Sequence, residues 1–455
     1  MIPANIITLF KESKLIYLKF LSRAFFPLMS WKLRFLNPTY WFSPLTRVCL
    51  LVLIIIILVS CSQKRGVAKN SNQQFYQDVT LGYLPAGKIS FQGVTFARAD
   101  RNPGLDLIGF ISEPNKGATI KIFFNEGKNG IGRSAGATRI QRVDESINFL
   151  TVGDINGNSM DDLILVTSFN EERPLKILLN NGKGYFFSKP GVKSPLIYRA
   201  MERVDPVDLD QDGDVDLIFT GRKVLHTKGE RHTRQGQVLI NNGAGQFEDM
   251  TTLLWPELPP GIVGSSIADY DKDGLPDVFL VYGDGQNRLL MNNGVGQFVD
   301  KTDWLLPRVL DQSTHADWAD FDLDGDNDLL VTNKTIKKRY QGHSSETCYF
   351  LENDGYGRFR KRSGEKLPPS PAFRVYLLDA NGTGIPDIII LNDNGPYYMV
   401  GQGKWNFSVE TKKRLPKTSP MRELKFGDIN GDGFLDLVGI VSKNDSPKLW
   451  LNRVE

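Results

Sequence analysis

Carboxylates recur in this chain at a spacing that suits one kind of chemistry. Asp208, Asp210, Asp212 and Asp216 alternate along nine residues, with Gly213 in the sixth place. When such a loop curls, its carboxylates converge on one centre, glycine permits the sharp turn, and the oxygens suit a hard divalent cation. Asp269, Asp271, Asp273, Gly274 and Asp277 repeat the frame, as do Asp320, Asp322, Asp324, Gly325 and Asp328. Asp428, Asn430, Asp432, Gly433 and Asp436 repeat it with one amide. Two weaker copies are Asp154, Asn156, Asn158 and Asp162, with Ser159 in the glycine place, and Asp379, Asn381, Thr383, Gly384 and Asp387. A seventh, Asp100, Asn102, Gly104 and Asp106, is two residues short of the frame and is expected to stay empty.

A single match of this kind would read as an Asx turn without an ion. Four well-matched copies predict Ca2+, with the three all-aspartate loops binding best. Magnesium retains its waters and demands a stricter octahedron, so it fits less well. An affinity of about 10⁻⁴ to 10⁻³ M would match extracellular calcium modules. Carboxylates crowded without a cation repel one another, so the ions are expected to be structural and chelation to loosen the fold.

The elements that hold these loops repeat with them. The first acids fall at Asp100, Asp154, Asp208, Asp269, Asp320, Asp379 and Asp428, at spacings of 49 to 61 residues. After each loop runs a short apolar stretch (residues 216–220 read DLIFT, 277–282 DVFLVY), which reads as a buried strand. A second apolar segment ends in an Asn-Gly and Gly-x-Gly turn, as at 241–245 and 292–296, where residues tolerant of positive φ close a hairpin. Beyond the turn, Phe247 to Thr251 is echoed by Phe298 to Thr302. Four strands per unit and seven units predict an all-β, seven-bladed β-propeller over residues 75–455. The last unit stops near Asn452, before its outer strand, while Phe75 to Thr80 matches the missing piece; the N-terminal strand is therefore expected to close the ring.

These blocks, most closely Asp269 to Asp277 and Asp320 to Asp328 with their downstream turns, resemble the FG-GAP/VCBS repeats of integrin α propellers and many exported bacterial proteins. The resemblance implies a calcium loop in which places one, three, five and nine give side-chain oxygens and place seven a carbonyl. It says almost nothing about function.

The N-terminus reads as an export signal. Residues 48–59 form a twelve-residue apolar run behind Arg47, short for a span of about 20 residues and suited to a signal-peptide core. Leu58, Val59, Ser60 and Cys61 resemble a bacterial lipobox, which implies a signal over 1–60 and acylation of Cys61. Residues 61–74 read as a flexible tether. Ser62 stands where an aspartate often retains lipoproteins in the inner membrane, so the outer membrane or cell surface is the expected location. Three cysteines, Cys49, Cys61 and Cys348, give no disulfide framework, and Cys348 in an apolar segment reads as a core residue.

Charge narrows the partners. Removing the seven bases and one acid of residues 1–60 from totals of 55 and 52 leaves 48 against 51, so nucleic acid is not an expected partner. Two enlarged loops between second and third strands are basic: Arg222, Lys223, Lys228, Arg231 and Arg234 in one, Lys334, Lys337, Lys338 and Arg339 in the other. His226, His232 and His343 lie in them, and His315 precedes a first strand near the same face. An anionic glycan or an acidic protein surface is the expected ligand, against the plainer reading of solvated hairpin tips. The connections carrying Trp255, Trp304 and Leu367 are expected to pack between blades. No nucleophile elbow, HExxH or P-loop pattern occurs. The expected role is thus a non-enzymatic binding module of the cell envelope; a lyase-like enzyme or a scaffold of an envelope complex are the alternatives.

Overall fold

The computed structural model describes residues 75–85, 90–113, 116–168, 175–188, 203–221, 236–334, 347–362, 367–368, 371–415, 420–440 and 446–453. The signal, Cys61, the tether, and the insert residues Arg222, Lys223, Lys228, Arg231, Arg234, Lys337, Lys338, Arg339, His226, His232 and His343 lie outside the described residues. Residues 70–454 form one compact unit.

Seven antiparallel sheets of four strands build the propeller. Blade 4 shows the plan: Ile262–Ala268 innermost, then Asp277–Tyr282, Arg288–Asn292 and Phe298–Asp300. The innermost strands of blades 1, 2, 3, 5, 6 and 7 are Gly93–Ala97, Ser146–Gly153, Arg203–Val207, Ser313–Ala319, Arg374–Leu378 and Glu423–Gly427. Second strands lie between two neighbouring blades, so both faces are apolar; Asp277–Tyr282 and Asp387–Asn392 are buried throughout. Most outer strands are short, and charged side chains on several of them, as in Phe359–Lys361, blunt the exposed edge. Seven apolar clusters fill the seven junctions between adjacent blades. Trp255 packs edge-to-face on Phe298 at 5.3 Å between blades 3 and 4. Trp304 is 77% exposed, while Leu305 and Leu306 of the same connection pack against the cluster between blades 4 and 5. Cys348 is buried in the third strand of blade 5, and burial pushes its thiol up to about 12.

The ring closes as the sequence predicts. Tyr76–Asp78 is the fourth strand of blade 7, paired as Tyr76 with Asn452, Gln77 with Leu451 and Asp78 with Trp450. The segment after Asp78 marks this as an outer strand. Among the described residues, that strand leads in four blades to a threonine that opens a single helical turn: α1 (Thr80–Tyr83), α2 (Thr251–Leu254), α3 (Thr302–Leu305) and α4 (Thr411–Arg414). Each threonine Oγ1 accepts a main-chain N–H of the third strand: Leu449 at 2.9 Å, Val238 at 3.0 Å, Leu289 at 3.0 Å and Tyr398 at 2.9 Å. A hydroxyl thus replaces the carbonyl that a longer outer strand would have offered.

Thr80→Val keeps the shape but leaves the Leu449 N–H unpaired. Equilibrium denaturation is expected to show a loss of about 1–3 kcal/mol, with Thr80→Ser restoring most of it. An unchanged midpoint in Thr80→Val would mean that the closure does not depend on this bond.

Candidate metal centres

Each acid loop joins an innermost strand to a second strand, and two aspartates shape it. The aspartate at place nine opens the second strand and is buried. Asp216, wholly buried, accepts the Leu209 N–H on Oδ2 at 2.9 Å and the Asn241 N–H on Oδ1 at 2.8 Å. Asp277 holds Tyr270 and Asn292 in the same way, Asp328 holds Phe321 and Asn353, and Asp436 holds Ile429 and Asn452. The aspartate at place one curls the loop: Asp208, Asp269 and Asp320 accept the N–H of Gly213, Gly274 and Gly325 at 3.1, 2.9 and 3.0 Å. Those glycines have φ near +90°, which explains their type. Ser159 adopts φ +67° at the same place, a strain of about 1–2 kcal/mol for a residue with a Cβ.

Among the described residues, three groups of carboxylate oxygens lie within 4.8 Å of one another: Asp208, Asp210 and Asp216; Asp269, Asp271 and Asp273; Asp320, Asp322 and Asp328. Each could hold a metal ion. Each also contains one buried carboxylate oxygen with no hydrogen-bond partner: Asp208 Oδ1, Asp269 Oδ1 and Asp322 Oδ1. A buried acceptor left unpaired is costly, and a cation would satisfy it. The residues present therefore fit a hard divalent cation.

The remaining expected ligands are arranged differently. Asp212 and Asp324 fall outside these groups and accept the Asp214 and Asp326 N–H at 2.9 and 3.2 Å, and Asp277 is likewise outside. In the loop of blade 6, Thr383 Oγ1 donates to Asn381 Oδ1 at 2.6 Å and Gly384 N–H to Asp379 at 2.6 Å, while Asp387 accepts the Tyr398 hydroxyl and the Gly401 N–H. In blade 7, Asn430 donates to Asp432 at 2.9 Å and Asp428 receives Gly433. In blade 2, Asp154 receives Asn158 and Ser159, and Asp162 receives Ile155 and Asn180; Asn156 makes no contact of this kind.

The first loop is not two residues short. Asp106 accepts the Ala99 and Asn125 N–H as place-nine aspartates do elsewhere, and Ala97 pairs with Asp106 as Ala268 pairs with Asp277. Place one is therefore Arg98, not Asp100. A guanidinium stands where a ligand would, 3.8 Å from Asp161 of blade 2. Counting from the first aspartate hid the register because the register is set by the last one.

Sequence reasoning also missed the asparagine that ends the third strand, which reads in one dimension only as a turn former. Its side-chain amide reaches the preceding blade: Asn241 to the Ile155 carbonyl at 2.9 Å, Asn292 to Leu209 at 2.8 Å, Asn353 to Tyr270 at 2.8 Å. The available signal was the first asparagine of each Asn-Asn-Gly, one more than the turn needs.

At the other end of the innermost strands, charged groups crowd the ring axis. His315 lies within Ser313–Ala319, not before it. Its Nδ1 is buried without a partner, and burial, then Arg374 and Arg203, hold its pKa well below the usual value. Among the described residues, the Arg374 side chain makes a 3.5 Å contact to Tyr376 Oη and a 3.8 Å contact to Glu423. Lys334, the described member of the basic inserts, donates its main-chain N–H to the Gln312 carbonyl at this end.

Against known proteins, the FG-GAP-like repeat family matches residues 154–219, 229–280, 269–331 and 379–439, half of the chain. The chain belongs to that family. Among solved structures, BBS1N in complex with ARL6DN is 12% identical over 84% of this chain and 98% of that one, with a TM-score of 0.50. An Agrocybe aegerita lectin that recognises non-reducing terminal N-acetylglucosamine is 18% identical over 71% of this chain and 80% of that one, with a TM-score of 0.44. No curated protein shows significant sequence similarity.

Burial pushes Asp216 up to about 6 and Asp277 and Asp328 up to about 8, opposed by their N–H donors and reinforced by neighbouring loop carboxylates. The ordinary value is 3.8, so between roughly pH 4 and 8 the folded protein holds more protons than the unfolded chain. Metal-free stability must then fall as pH rises through that window. In chelator, the melting temperature is expected to drop from about pH 5 to about pH 8. A divalent cation should raise it most at the upper end, because it binds the deprotonated acids. A chelated melting temperature that is flat or rises with pH would overturn this account.

Proposed function

We infer that this propeller is a calcium-stabilised binding module of the bacterial cell envelope, tethered through a lipid on Cys61, that holds a protein or an anionic glycan. One contrast supports the reading. Three loop carboxylates, Asp208, Asp269 and Asp322, each hold a buried oxygen without a hydrogen-bond partner, whereas at the opposite strand ends the partly exposed Arg374 has long contacts to Tyr376 and Glu423 that leave it able to engage a ligand. Calcium takes about six to eight oxygens. Asp208, Asp210 and Asp216 would supply some of them in blade 3, Asp269, Asp271 and Asp273 in blade 4, and Asp320, Asp322 and Asp328 in blade 5. The ion would neutralise acids that otherwise repel, and so stiffen the ring. That role is structural, which leaves recognition to the other face, where blades 3 and 5 carry the basic inserts. Arg suits a carboxylate or sulfate as a bidentate donor. BBS1N, of the same fold, is itself seen bound to another protein.

Residues 62–455 are expected to bind calcium by titration calorimetry, to melt at lower temperature in chelator, and to retain an anionic polysaccharide or an acidic protein on a column. Charge-neutral inserts should lose the retained partner without losing calcium. No heat of calcium binding and no change with chelator would refute the metal reading. An unsaturated, ultraviolet-absorbing sugar product would make the protein a lyase, and stable co-purification with envelope proteins a scaffold.

Cys61→Ser in the full chain is expected to move the protein from the membrane fraction to the soluble fraction. Continued membrane association of Cys61→Ser would remove the lipid anchor from the proposal.

A further inference from the structure

The asparagine clamp is present at six of the seven blade junctions. Besides those of Asn241, Asn292 and Asn353, the amide of Asn125 donates to the Ile429 carbonyl at 2.7 Å, that of Asn180 to Ala99 at 3.0 Å and that of Asn452 to Ala380 at 2.6 Å. Each bond ends on the second residue of the preceding blade's acid loop. Among the described residues, the clamp is missing where blade 6 meets blade 5. There the third strand carries Gly401, whose N–H serves Asp387, and runs on to Gly403. It then turns at Lys404 and Trp405, with φ of 52° and 63°.

That turn delivers Trp405 to the vacant role. Its main-chain N–H donates to the Phe321 carbonyl at 3.2 Å, the second residue of the blade 5 loop. Its indole Nε1 donates to Asp322 Oδ2 at 3.0 Å, in place three of the same loop. The ring is fixed against Phe321 and Phe350, at 5.5 and 5.2 Å between centroids, and Arg362 stacks on it at 4.5 Å. The corresponding aspartates of blades 3 and 4, Asp210 and Asp271, accept long 3.4 Å bonds from their own loops. Asp322 is thus held by an indole from the next blade, and its other oxygen, Oδ1, is the buried one without a partner.

We propose that Trp405 is a positioning residue for the blade 5 cation and that this cation is the latch of the blade 5–blade 6 junction. The proposal rests on the reading of the acid loops as calcium sites. A donor that fixes one carboxylate oxygen orients the other toward the metal, the role outer-shell partners play in metal sites. The coupling runs both ways: if Trp405 strengthens the cation, the cation strengthens the hold of Trp405 on blade 5. Calcium at the other loops has no such junction to close, because an asparagine already closes it.

The test uses the full chain in mild detergent, titrated with Ca2+ and with luminescent Tb3+. Trp405→Phe is expected to weaken one site by about tenfold, leave the others in place, and remove most of the tryptophan-sensitised Tb3+ emission. In the wild-type chain, chelation is expected to speed amide exchange in residues 397–407 more than in the third-strand ends at Asn241 and Asn292. Asp322→Asn, which keeps the tryptophan, should produce that exchange pattern without chelator, while Asp271→Asn should not. Absence of any cation binding would refute the calcium reading itself. Normal cation binding, with Trp405→Phe titrating like wild type or with Asp322→Asn leaving residues 397–407 protected, would overturn the latch alone.

Discussion

The buried aspartate at the start of each second strand is the interaction on which the ring depends. A carboxylate with no exposed surface is tolerable only when its oxygens are saturated by donors. Here one donor comes from its own loop and one from the end of the third strand, as Leu209 and Asn241 serve Asp216. Loop and third strand therefore cannot shift independently. The residue whose N–H serves the aspartate is also the asparagine whose amide reaches the previous blade, as Asn241 does to Ile155. At six of the seven junctions the buried acid thereby fixes its own blade and, through the asparagine, the preceding one, and the bonds form a belt around one face of the propeller that is interrupted where Gly401 serves Asp387 in blade 6. The belt has a cost at neutral pH, because the same burial that makes these aspartates structural disfavours their charge.

Most of this architecture was legible from spacing. The period of the acid loops, the apolar second strands and the displaced outer strand at Tyr76 to Asp78 are local patterns, and local patterns survive in one dimension. What stayed hidden were destinations. The amide of Asn452 ends on a carbonyl 72 residues away, and the indole of Trp405 on a carboxylate 83 residues away. Nothing in the hairpin that carries either residue encodes those partners. The register of the first loop was misread for a related reason: Arg98 breaks the acid pattern at its visible end, while Asp106, which sets the geometry, keeps it. His315 could be assigned to a face but not to the ring axis, since the charges that act on it, Arg203 and Arg374, come from blades 3 and 6.

The seven loops are alike in backbone and unlike in chemistry. Blade 1 meets its neighbour through Arg98, whose main-chain N–H donates to Asp161 at 2.6 Å and whose guanidinium lies 3.8 Å from the same carboxylate, a contact that needs no ion. Blade 6 spends its loop side chains on one another through Thr383 and Asn381. The three converging acid groups occupy consecutive blades, 3, 4 and 5, so the candidate cation sites are concentrated in one arc of the ring. The arc is bounded on one side by asparagine-clamped junctions and on the other by Trp405. Cations bound in that arc would act on the three blades together, while the other junctions are closed by hydrogen bonds such as those of Asn125, Asn180 and Asn452. Blades 3 and 5 are also the blades whose second and third strands are joined by the two basic inserts. A cation held by these loops would therefore stiffen the same blades whose second and third strands the basic segments join, a coincidence that follows from which loops carry all four aspartates.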